Sequence, residues 1–135
     1  METLAIKKEI LEAMIHHARE EAPLECCGLL MGMDQTITHH RRMGNVLQSP
    51  NRYSMDPKAL FDFFRDIRSL QLRHLGIYHS HPSSEAYPSG TDVDESYYPD
   101  CTYFIISLRD VQSPSVRAFQ LARRVIQEKE FRVMD

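Results

Sequence analysis

The stretch from Leu75 to Pro82, LGIYHSHP, admits few backbones. It is apolar and β-branched at its start, and Pro82 cannot donate to a ladder, so it reads as a strand that stops at His81. Side chains two apart in a strand share a face. His79 and His81 therefore point the same way at a strand mouth, where loops tend to carry function. Both imidazoles can approach one ion, although His-x-His alone reads more readily as a pair of exposed strand histidines. Ser80 and Tyr78 take the opposite face, which puts Tyr78 in the core and Ser80 in a supporting hydrogen bond.

The rest of the chain supplies layers for that strand. Ile6, Ile10, Met14 and Ala18 recur every four residues, with Leu11 and Ile15 beside them, and predict a first helix that Pro23 limits. CCGLLMG at 26–32 reads as a buried strand, and 37–46 as a more exposed one. QSPNRYSM at 48–55 reads as a loop. Asp56-Pro57 opens a second helix, since aspartate caps free N–H groups and proline suits the first helical position. Its stripe is Leu60, Phe61, Phe64, Ile67 and Leu70. A helical turn is expected from Thr91 or Asp92 to before Pro99. Strands at 103–108, 116–122 and near 124–133 follow, the last two as an antiparallel pair. The expected fold class is α/β: a mixed central sheet flanked by helices, in one domain over residues 1–135.

Composition removes several classes. A net charge of -3 gives no reason to expect nucleic acid. Basic pairs such as Arg123-Arg124 are too short to be more than surface. No apolar run approaches the ~18 residues a membrane span requires, and METLAIKKEI lacks the order of a signal peptide, so a cytoplasmic location is expected. Three cysteines, Cys26, Cys27 and Cys101, argue against a disulfide framework. A Cys27–Cys101 or Cys26–Cys101 bridge stays open, as does a homodimer.

Asp92 strengthens the metal reading. It stands eleven residues after His81, across a loop holding Pro82, Pro88 and Gly90, and can be folded back onto the same ion. Two histidines and a carboxylate make a three-ligand zinc set with one position free, the pattern of a catalytic site rather than a structural one. Other divalent ions also suit such ligands. Glu25, after Pro23-Leu24, is the candidate base, while its local sequence alone suggests a surface carboxylate.

Together these residues resemble the JAMM, or MPN-plus, zinc metallopeptidase family. The resemblance rests on the glutamate of PLECCGLLMG, His79-Ser80-His81, the seven residues PSSEAYP, Ser89, and two residues later Asp92, and extends over nearly the whole chain. It implies a core like that of cytidine deaminase. It implies zinc on His79, His81 and Asp92, Glu25 as general base, and Ser89 as oxyanion donor, with capping of the next helical turn as an alternative for Ser89. The chain is most similar to the small stand-alone prokaryotic branch. Within it, the resemblance is to enzymes hydrolysing the amide bond after the C-terminal Gly-Gly of a ubiquitin-fold sulfur-carrier protein, which releases an attached residue or short tail. The alternatives are an isopeptidase that takes a ubiquitin-like modifier off lysine, and a non-catalytic MPN scaffold domain.

Overall fold

Ile6 belongs to a strand, not to the first helix. The computed structural model describes residues 3–135, beginning with β1 (Leu4–Lys7) and then α1 (Lys8–Glu21). Ile6 is in phase with the helical stripe because α1 starts directly after β1 and packs on the same core as Ile10, Met14 and Ala18. Next come β2 (Cys27–Met33), β3 (Thr36–Met43), α2 (Pro57–Leu70) and β4 (Arg73–His81). They are followed by α3 (Gly90–Asp94), β5 (Thr102–Ser107), β6 (Ser115–Ala122), β7 (Val125–Lys129) and β8 (Phe131–Met134). The helical turn thus starts at Gly90 and is shorter than expected, and β3 ends before Gly44.

The strands form one mixed sheet in the order β7-β6-β5-β4-β2-β3-β1-β8. β4 lies antiparallel to β2 and parallel to β5, with His79 opposite Cys27 on one side and Ile105 on the other. The expected pair of β6 with its successor is present as β6-β7, hinged at Arg123-Arg124, both at positive φ. The strand expected near 124–133 is in fact two. After Glu130 the chain pairs as β8, parallel to β1 at the far edge. With β7 at one edge and β8 at the other, separated by one residue, the sheet has to curl.

Each face has its own core. Leu30, Tyr78, Phe104 and Ile106 pack with Ile10, Met14 and Ala18 of α1. Leu29, Ile77, Ile105 and Phe119 pack with Phe63 and Ile67 of α2. The central strands are apolar at almost every position because both faces are covered. α2 starts as its sequence dictates: the Asp56 carboxylate accepts from the Ala59 N–H at 3.0 Å, with Pro57 at the first helical position. Among the described residues, no helix is long and apolar enough to cross a membrane.

Gly28 marks where β2 and β4 are locked from the α1 side. A Cβ there would lie 2.2 Å from Tyr78 Cε2. Tyr78 cannot yield easily, because it is fully buried and its hydroxyl lies 2.8 Å from His17 Nδ1 on α1. We expect Gly28→Ala to destabilise the protein by about 1–3 kcal/mol, read as a lower denaturant midpoint. An unchanged midpoint would show that Tyr78 moves freely.

Candidate metal centre

The end of β4 brings His79 and His81 to the α2 face, as alternation requires. Both are buried, and their Nε2 atoms lie 3.2 Å apart. Asp92 comes from the loop that follows, with Oδ1 3.2 Å from His79 Nε2 and Oδ2 3.0 Å from His81 Nε2. One ligand atom from each of the three residues falls within 4.8 Å of the others. Two imidazole nitrogens and a carboxylate crowded this closely fit a divalent cation, and the surroundings prepare them for one. His81 Nδ1 faces the Glu85 carbonyl at 2.8 Å. A proton on Nδ1 satisfies that carbonyl and leaves the Nε2 lone pair pointing into the site. His79 is held flat by Tyr53, whose ring lies 4.7 Å away at 30°.

Asp92 is aimed by a capping box. Ser89 N–H donates to Asp92 Oδ2 at 2.9 Å, and Asp92 N–H donates to Ser89 Oγ at 3.1 Å. The spacing Ser-x-x-Asp therefore builds the first turn of α3 and orients a candidate ligand at once. Burial by itself would raise the Asp92 carboxyl, but His79, His81 and the Ser89 N–H hold it well below the usual carboxylate range. Burial pulls the other way on His81, yet Asp92 and the Glu85 carbonyl raise it above an ordinary histidine.

Glu25 is not the surface carboxylate that its local sequence suggests. It is 3% exposed, and its Oε1 is buried with no hydrogen-bond partner. Burial, then the charge of Asp92, push its carboxyl up to about 8, with His81 opposing. Its main chain has left the sheet: the N–H donates to the Ser49 carbonyl at 2.9 Å, and the carbonyl accepts from Asn45 Nδ2 at 3.1 Å. A buried carboxyl oxygen without a hydrogen-bond partner, near enough to Asp92 and His81 to feel their charges, can in principle take and return a proton.

Two residues important here carry no obvious mark in the sequence. Asn45 falls within the expected strand 37–46 but organises the loop after β3. Besides Glu25 it bonds the Arg52 carbonyl, and its Oδ1 accepts from the Leu47 and Ser54 N–H groups. The Gly44-Asn45 pair was the available turn signal. Tyr53 lay in an expected loop, where nothing announced its packing on His79. Arg52 and Arg117 are engaged with Glu95 and Glu128. All three cysteines are free, and burial pushes Cys26 and Cys27 up to about 12, so neither offers a thiolate nucleophile at neutral pH.

Comparisons with known proteins show the family. Residues 7–122 match the family described as prokaryotic homologs of the JAB domain. The CysO-cysteine peptidase of Mycobacterium tuberculosis is 32% identical over 134 residues, covering 98% of this chain and 92% of that protein. A desampylase of Haloferax volcanii is 33% identical over 111 residues, covering 77% and 80%. The solution structure of protein DSY2949 from Desulfitobacterium hafniense superposes with a TM-score of 0.89 at 32% identity, over 98% of this chain and 94% of that one.

Proposed function

The chain belongs to the JAB domain family in its prokaryotic form, and from that premise we propose that it is a zinc-dependent peptidase acting on the C-terminus of a ubiquitin-fold sulfur-carrier protein. The observation that carries the proposal is the convergence of His79, His81 and Asp92, with the buried, unpartnered Glu25 near enough to Asp92 and His81 for their charges to act on it. The bond cut is the amide after the carrier's terminal Gly-Gly. The similarity to a peptidase named for CysO-cysteine supports that substrate class. Three free cysteines suit a reducing, cytoplasmic setting.

His79 Nε2, His81 Nε2 and an Asp92 oxygen would hold the zinc. When bound, zinc supplies Lewis acidity, which polarises a carbonyl and brings the pKa of water from ~15.7 to ~7. Glu25 receives the attacking water's proton and returns it to the departing amine. The walls around Glu25 keep bulk water away, so this proton stays within the site. Ser89 serves twice. Its Oγ accepts from the Asp92 N–H, which leaves the hydroxyl proton for the developing oxyanion. Ser89→Ala should cost about 3–4 kcal/mol of barrier from the lost donor and about 1 kcal/mol of stability from the lost cap. Parallel measurement of kcat and melting temperature separates the two. A stability loss with unchanged kcat would leave Ser89 as a cap only.

The test of function is mass spectrometry of carrier proteins carrying a residue after Gly-Gly, incubated with wild-type protein and with Glu25→Gln. Release of the residue by the wild type alone is expected. The Haloferax desampylase similarity favours one second reading, an isopeptidase that frees a ubiquitin-like modifier from lysine. A carrier joined through a lysine side chain, cut in preference to the linear fusion, would establish it. The third reading, a silent scaffold, predicts no turnover of either substrate.

A further inference from the structure

The ladder between β2 and β4 ends abnormally at the residue before β2. Cys27 and His79 are opposite one another, so Cys26 faces Ser80. In a regular antiparallel pair these two would exchange both main-chain bonds. One is made: Ser80 N–H donates to the Cys26 carbonyl at 3.2 Å. The return bond goes elsewhere. Cys26 N–H donates to Ser80 Oγ at 2.8 Å, inside a site where Cys26 is 1% and Ser80 0% exposed. A side chain has taken the place of a carbonyl at the last rung.

That substitution falls between the two halves of the site. Ser80 sits between His79 and His81, and Cys26 directly follows Glu25. Beyond this rung the Glu25 main chain turns to the loop partners Ser49 and Asn45 instead of continuing along β4. The hydroxyl thus fixes how far the glutamate strand stands from the histidine strand where they part.

We propose that Ser80 is a positioning residue: by accepting the Cys26 N–H on its hydroxyl, it sets the separation of Glu25 from His79 and His81 that proton transfer requires. The inference rests on the peptidase reading for its catalytic consequence, though not for the hydrogen bond. Without the hydroxyl, the Cys26 N–H is left buried and unpaired, which costs stability at that rung and frees Glu25 from its set distance to β4. Misplacement of a reacting group by ~1 Å can cost on the order of 10²-fold in rate.

The test compares wild type, Ser80→Ala and Ser80→Thr as zinc-loaded full chains. It reads zinc content, kcat and KM on the carrier fusion, and amide hydrogen exchange at Cys26. Ser80→Ala should lose Cys26 protection and ~10²-fold in kcat, with KM and zinc content unchanged. Ser80→Thr keeps a hydroxyl and should restore both losses. Cys26 exchange as in wild type, an unaltered kcat, loss of zinc in step with activity, or a folded Ser80→Thr that restores neither would each overturn the proposal. A wild type that cuts no fusion counts instead against the peptidase reading, and exchange at Cys26 still judges the bond without turnover.

Discussion

Glu25→Gln protein is expected to keep its zinc and lose its chemistry. Glutamine has the same shape and can occupy the same buried site, but it cannot take a proton from water. General acid–base catalysis by a placed group contributes about 10²–10⁴-fold, and a fall of that order in kcat is predicted with zinc content near that of wild type. The same variant makes a second, independent prediction about stability. In protein stripped of metal, burial holds the Glu25 carboxyl at about 8, against an ordinary value of 4.5. A raised folded-state value means that the acid form's contribution is complete below the ordinary value and is lost as pH rises through the folded one. Chelator-treated wild type should therefore weaken between about pH 4.5 and 8, and Glu25→Gln should lack that component. Denaturant midpoints across the range decide it. Identical pH profiles would mean that the carboxyl is not buried as described, and full activity in the variant would remove Glu25 from the proposed mechanism.

Asp92→Asn should fail by another route, losing the metal itself. Asparagine keeps an oxygen that can accept from the Ser89 N–H, so the first turn of α3 should survive. What disappears is the negative charge between two buried histidines, the strongest local attraction for a dication. Wild-type protein should gain stability from zinc by mass action, about 2.7 kcal/mol when free zinc is 100-fold above its Kd. In Asp92→Asn that gain should nearly vanish, together with hydrolysis. A zinc-dependent rise in melting temperature equal to that of wild type would exclude Asp92 as a ligand. The two variants are complementary: one is metal-loaded and inactive, the other inactive because it is unloaded.

The clustering of His79, His81 and Asp92 was legible because it follows from local rules. Strand alternation puts His79 and His81 on one face, and Ser-x-x-Asp builds a capping turn that aims Asp92. Glu25 was legible only through the family pattern. Locally it follows a helix and a proline, and its burial is created by the loop from Asn45 to Tyr53 folding over it, a long-range event. The same distinction explains the missed strands. β1 is four residues long and continues into α1 without a break, so Ile6 fitted the helical phase. β8 pairs with β1, more than a hundred positions earlier in the sequence, and no local pattern announces such a partner. Asn45 and Tyr53 act through loop packing, to which periodicity is blind.

β4 has neighbours along both sides, β2 and β5. Under the proposed function, a polypeptide arriving at the site therefore finds β4 paired on both sides as far as Ser80, with only the β2-side flank of His81 left beyond the ladder. Under the proposed function, the connecting segments at residues 44–56 and 82–89, which meet the site at Tyr53 and Glu85, are left to grip most of an incoming main chain. Both segments also anchor the site: Asn45 and Ser49 hold the Glu25 main chain, Tyr53 packs on His79, the Glu85 carbonyl faces His81 Nδ1, and Ser89 caps α3. Only the positions between these anchors are free to be re-tailored to a new client, so a change of client is coupled to the bond-breaking apparatus.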